Sequence, residues 1–158
     1  MAYLDVISLE QAKNYLRVDD TLTTDDNAIQ RMIAGALSYV EQCTNVLVYD
    51  RQKDYLMIDG CVTVYDAPIN GIVSPTPTTD VDVEQKTLHT NYVYGSTTST
   101  LSLNVGYENS ANVPQDLIEV AYEIIDLMYY EHETGKDYTK DLTSLSKDIL
   151  NKHKRFLF

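Results

Sequence analysis

A chain of 158 residues with 44% hydrophobic residues and only four prolines is long enough for one buried core and too apolar to stay disordered. Its formal net charge of −12, from 24 acidic against 12 basic residues, argues against binding duplex DNA by counterion displacement, which needs Lys and Arg. Two cysteines, Cys43 and Cys61, are too few for a disulfide scaffold and point to free thiols in a reducing compartment.

Helix signals come first. Ser8 precedes Leu9, and Gln11 follows three residues later, a capping box in which each side chain satisfies a free amide at a helix start. Leu9, Ala12 and Leu16 then share one face, and the helix should fade near Val18. Asp25 and Asp26 suit the positive end of a second helix. Ile29, Met32, Ile33, Ala36, Leu37, Val40 and Cys43 recur at spacings of three and four, predicting helix from Asp25 to Cys43. Gln30, Arg31, Ser38 and Glu41 form its expected polar face, and Gly35 inside it lowers helix propensity and allows close packing.

From Val46 the pattern changes to β-branched and aromatic residues, predicting strands over Val46–Tyr49, Arg51–Ile58 and Cys61–Tyr65. Asp59-Gly60 is a hairpin-turn signal. Pro75 and Pro77 mark the most loop-like stretch, Ser74–Thr79, since a proline supplies no amide to an interior strand. Strands are predicted again over Thr87–Tyr94 and Leu101–Val105, so residues 46–108 read as a β-rich insertion built as an antiparallel meander. After Gly106-Tyr107, Val113-Pro114 reopens helix, with Leu117, Val120, Ala121, Ile124 and Met128 on its apolar stripe. That helix should stop at Gly135. A last helix is predicted from Thr139 to Lys154, carrying Leu142, Leu145 and Ile149. The fold class is therefore α+β: a small bundle of about four helices with the β insertion between the second and third, and one domain over residues 1–158. No internal repeat is present.

Charge is unevenly spread. Residues 1–135 hold 21 acids and 6 bases, whereas residues 136–158 hold 3 acids and 6 bases. The acidic body fits repulsion of nucleic acid, docking onto a basic partner, or plain solubility. The basic end finishes in Phe156, Leu157 and Phe158, apolar residues that need burial. Two readings stand side by side: the end folds back onto its own domain, or it docks into a neighbouring subunit or partner, with Lys152, Lys154 and Arg155 pairing with acids there. The thirteen tyrosines serve as core aromatics in a chain without tryptophan, or as interface residues.

Catalytic patterns are missing. His89, His132 and His153 are scattered, and Glu131-His132-Glu133 cannot converge on one ion because adjacent helical residues point about 100° apart. The acid pairs Asp19-Asp20 and Asp25-Asp26 lack the ligand alternation and glycine of a calcium loop. No nucleophile elbow, phosphate loop or dinucleotide fingerprint occurs. No catalytic residue, cofactor or metal is expected. The opening stretch Met1–Asp5 lacks the features of a signal peptide, and no apolar run approaches the ~20 residues of a membrane span. Synthesis in the cytoplasm and no membrane partner are therefore expected.

The order of parts completes the reading. Ile7–Asp19, an acidic loop, Ile29–Thr44 containing the run Ala34-Gly-Ala-Leu-Ser-Tyr-Val-Glu-Gln-Cys-Thr44, strands around Val62–Pro68, and Gly106-Tyr107 leading into Val113–Ile118 together resemble the head–tail connector (adaptor) proteins of tailed bacteriophages. The resemblance spans nearly the whole chain, with little of it in Ser74–Thr100 or after Gly135. It implies a non-enzymatic virion protein in the phage neck, made in the bacterial host. Such proteins form a ring, usually twelve-fold, beneath the portal protein. The ring extends the DNA channel, through which genomic DNA passes without sequence-specific binding, and carries the next neck or tail protein. The resemblance also implies that an extended C-terminal segment engages the portal. In this chain that segment holds Lys152, Lys154, Arg155, Phe156, Leu157 and Phe158, although these match no family motif. Pro75, Pro77, Tyr92 and Tyr94 are candidate interface-loop residues, and Ile29, Ile33, Val40, Leu117, Ala121, Ile124 and Met128 the core stripes. Alternative readings are a stopper or tail-completion protein, a small cytoplasmic hydrolase, and an acidic DNA mimic.

Overall fold

The computed structural model describes residues 2–59, 61–74, 82–85, 90–93, 99–134 and 142–154. The described chain is α+β, with its strands inserted between two long helices. A four-residue turn of helix, α1 (Tyr3–Val6), precedes α2 (Leu9–Leu16) and α3 (Asp26–Thr44). The capping box forms at α2: Ser8 Oγ accepts from the Gln11 amide at 3.1 Å, and Gln11 Oε1 accepts from the Ser8 amide at 2.8 Å. Arg17 and Asn45 end α2 and α3 in the left-handed conformation. After the strands come α4 (Gln115–Thr134), whose first amides donate to the Pro114 carbonyl, and α5 (Ser144–His153).

Among the described helices, α3 and α4 form the central pair, and α2 and α5 each pack against both. α2 meets α4 at Tyr122, whereas α5 meets it at Asp116 and Glu123, on a different face of that helix. Ile29, Ile33, Leu37 and Val40 of α3 meet Leu117, Val120, Ala121 and Ile125 of α4 in a fully buried core, with Ile124 nearly buried and Met128 partly buried beside them. The predicted α5 stripe differs from the observed one. Leu150 is buried, whereas Leu145 is 68% exposed, because Ser146 takes the inward position and hydrogen-bonds to α4.

The strands form two three-stranded antiparallel sheets. The first has the order β1-β6-β3, from Arg51–Met57 (β1), Ser99–Val105 (β6) and Ile69–Ser74 (β3). The second has the order β2-β5-β4, from Cys61–Val64 (β2), Thr90–Val93 (β5) and Asp82–Gln85 (β4). Ile58 and Cys61 exchange backbone hydrogen bonds of 3.1 and 3.0 Å; Gly60, half of the predicted turn signal, lies outside the described residues. The strands on either side, β1 and β2, belong to different sheets of this antiparallel insertion. The expected strand at Val46–Tyr49 also differs. Only Val46 makes a ladder bridge there, to Ala67. The segment is instead a seam: Val46 and Val48 enter the helical core, and Leu47 between them enters the sheet core with Met57, Val64, Leu101, Leu103 and Val105.

The seam is pinned at several points. The Leu47 amide donates to the Ala67 carbonyl at 2.8 Å, the Gly106 amide to the Pro68 carbonyl at 2.8 Å, and the Tyr107 amide to the Leu47 carbonyl at 3.2 Å. Glu41, placed by sequence on the polar face of its helix, is only 6% exposed. It accepts from Tyr3 Oη at 2.7 Å, from the Val48 amide at 2.9 Å, and from both terminal nitrogens of Arg51 at 3.2 and 2.7 Å. One carboxylate thereby ties α1, α3, the seam and β1 together. Its charge is tolerable because the fork of Arg51 and a backbone amide satisfy both oxygens.

Candidate docking surfaces

The terminal helix is attached to α4 at both ends by polar clamps. At its start, Glu123 on α4 accepts from the Thr143 amide at 2.7 Å, from Thr143 Oγ1 at 3.1 Å, and from Ser146 Oγ. Thr143 Oγ1 also accepts from the Ser146 amide at 3.2 Å, capping the helix. At its end, Asp116 on α4 meets His153 Nε2 at 2.8 Å and Lys152 Nζ at 3.4 Å. Burial works to raise the Asp116 carboxyl. The hydrogen bond and charge of His153, with Lys152 beside it, outweigh burial and hold the group below its ordinary value.

These contacts place the basic end of the chain. Lys152 pairs within its own domain while its side chain stays largely exposed. Lys154 lines an open groove of about 480 Å³ between α3 and α5, together with Tyr39, Gln42, Lys147, Leu150 and Asn151. The helix ends at Lys154, whose backbone turns extended. Arg155, Phe156, Leu157 and Phe158 lie outside the described residues, as do Pro75, Pro77 and Tyr94. Tyr92 stands in β5, opposite Val62 on one side and Val83 on the other.

Lys147, Asn151 and Lys154 fall at spacings of four and three along α5. That spacing is a helical stripe readable from the sequence alone. On a different face of the bundle, Tyr15 of α2 stacks on Tyr122 of α4, ring centroids 4.8 Å apart. Burial raises the Tyr15 hydroxyl above its ordinary value, and the nearby charges of Asp126, Glu119 and Glu123 raise it further. Glu119 and Asp126 are exposed on this flank.

The acids weighed as metal ligands have other tasks. Asp19 Oδ1 accepts from the Thr21 amide at 2.8 Å and from its hydroxyl at 2.6 Å, shaping the loop. Asp26 pairs with the buried Lys13 at 2.7 Å, and Lys13 also donates to the carbonyls of Asp20 and Leu22 at 3.2 and 2.7 Å. His132 is exposed on α4 with its ring stacked near Tyr129, and His153 is part of the α5 clamp. Among the described residues, no group of three or more His, Cys, Asp or Glu is placed to hold a metal ion. No described helix is long and apolar enough to cross a membrane.

No protein-family model matches this sequence, and neither does any curated protein. Solved structures do match. A chain from the neck of an empty gene transfer agent (GTA) particle, computed with C6 symmetry, superposes with a TM-score of 0.76 at 12% identity, covering 97% of this chain and 91% of that one. A chain from the virion of a native GTA particle matches at 0.76 and 11% identity over 100% and 94% of the two chains. A chain from the neck of a native GTA particle, computed with C12 symmetry, matches at 0.71 and 10% identity over 97% and 91%. At these identities the likeness is one of fold, and it extends through both the helical bundle and the inserted strands.

Proposed function

We propose that this protein is a structural component of the neck of a tailed phage or phage-like particle. It assembles there as a ring adaptor that joins the portal to the next neck or tail protein and extends the DNA channel. The observation that carries this reading is the near end-to-end fold match with chains of GTA necks and virions. The C6 and C12 symmetries of those necks support a cyclic arrangement of copies. An acidic ring wall suits passage of DNA, because it repels phosphates and limits sticking.

The segment after Lys154 is the proposed portal-docking arm. It begins where α5 ends and carries Arg155 followed by three large apolar residues. Because α5 runs to His153 and is clamped there by Asp116, the clean truncation removes residues 155–158 and leaves the clamp intact. Full-length protein should co-sediment with isolated portal rings. The truncated chain should lose that binding while keeping its circular dichroism spectrum and melting temperature. Normal portal binding by the truncated chain overturns the docking role. Binding of the full chain to isolated tails and not to portals favours a stopper or tail-completion protein instead.

A further inference from the structure

A closed ring built from one chain needs two different complementary patches, and they must sit on opposite sides of the subunit so that each copy meets two neighbours. The bundle supplies such a pair of sides. Its α2–α4 edge and its α3–α5 edge share no helix, and α2 and α5 meet α4 on different faces, at Tyr122 and at Asp116 and Glu123 respectively. Each edge carries exposed aromatic surface, Tyr15 on the first and Tyr39 on the second. Their charges are opposite. The α3–α5 groove is walled by Lys147 and Lys154, in a body where acids outnumber bases. The α2–α4 edge presents Glu119 and Asp126 beside the stacked pair of Tyr15 and Tyr122.

The geometry points to a head-to-tail contact between copies of this chain, in which the acidic, tyrosine-bearing α2–α4 edge of one copy seats in the lysine-walled α3–α5 groove of the next. This inference rests on the ring reading above and names the surfaces that close the ring. A groove of about 480 Å³ accommodates protruding side chains rather than a whole helix, which fits the exposed Tyr15 and the short acids around it. Because the two patches lie on different edges, two copies cannot satisfy both contacts within a dimer, so pairing propagates until the ring closes.

Charge reversal on each edge tests the contact. The groove variant carries Lys147→Glu and Lys154→Glu, and the edge variant carries Glu119→Lys and Asp126→Lys. All four positions are exposed, and melting curves check that each variant folds. Native mass spectrometry then reads the ring, for the protein alone and after elution from isolated portal rings. Each variant by itself should lose the ring species. An equimolar mixture should regain it with the two chains alternating, since the reversed groove of one then meets the reversed edge of the other. Rings formed by either variant alone, or a mixture that stays monomeric, overturn the assignment of these surfaces while leaving the ring reading in place. A wild-type chain that stays monomeric both alone and on portals overturns the ring reading and this contact with it.

Discussion

The helical bundle and the first β-sheet each hold a buried core, but they are assembled in different ways. The bundle core comes from stripes spaced three and four residues apart, so each helix presents its own apolar face before any partner arrives. The sheet core depends on distant pairing: Arg51 of β1 lies opposite Val105, and the last strand, β6, is the central one. Its contacts therefore form only after a long loop has closed. The two cores meet at the seam, where Val46 and Val48 belong to one and Leu47 to the other. The bundle thus holds its core through local stripes, whereas the sheet depends on the seam for its place.

The most damaging small change should fall at that seam. Gly106 has φ +107°, and a Cβ there would stand 2.0 Å from the Tyr49 carbonyl oxygen and 2.6 Å from its carbon. Neither atom can move freely, because both belong to the backbone leading into β1. Gly106→Ala should cost about 3 kcal/mol or more, and it should loosen both cores together in a single urea transition. Gly71→Ala is the matched control, since a Cβ at Gly71 meets nothing within 4 Å. A Gly106 variant as stable as that control would show that the seam is not a shared constraint.

The same contrast explains which features were legible in the sequence. The long helices were readable because Ile29 through Val40 and Leu117 through Met128 state their period locally. The first turn of helix, Tyr3–Val6, has too few residues to show any period. Val46–Tyr49 was read as a strand because β-branched residues fit extended backbone, and the backbone is indeed not helical there. Which core each side chain enters is settled by tertiary packing alone. Glu41 looked like a surface acid because its partners, Tyr3, the Val48 amide and Arg51, lie in other elements. Leu145 looked like core because leucine outranks serine in hydropathy, yet Ser146 faces inward to reach Glu123. The α3–α5 groove has contributions from two helices far apart in sequence, so only its α5 half, the Lys147–Lys154 stripe, was visible in advance.

A smaller effect should come from the clamp that holds α5 on the bundle. The Asp116 carboxyl is held below its ordinary value in the folded protein, so its ionisation stabilises the fold above the ordinary carboxylate range. That contribution fades as pH falls below about 4, where the unfolded chain takes up its proton first. Asp116→Asn should cost about 1 kcal/mol at neutral pH, a modest figure because the pair is partly exposed. The variant and the wild type should converge in stability near pH 2. A gap of equal size at neutral and acid pH would assign the effect to packing or to the start of α4 rather than to the ion pair.

Within the bundle, Gly35 tests how much room the α3–α4 pair keeps. Glycine in the middle of a helix is less favourable than alanine by up to about 1 kcal/mol, through the extra freedom of the unfolded chain. The close approach expected of this glycine is real but not tight. An added Cβ would lie 3.5 Å from Met128 Cε and 3.8 Å from its Sδ, ordinary contact distances to a flexible side chain. Gly35→Ala should therefore raise stability by roughly 0.5 kcal/mol, read as a higher urea midpoint with an unchanged slope. A loss of stability would mean that Met128 cannot yield, and that the central pair is packed as tightly as the seam at Gly106. The two glycines then separate the regions by their opposite signs: one position where the backbone forbids a side chain, and one where the helix gains from it.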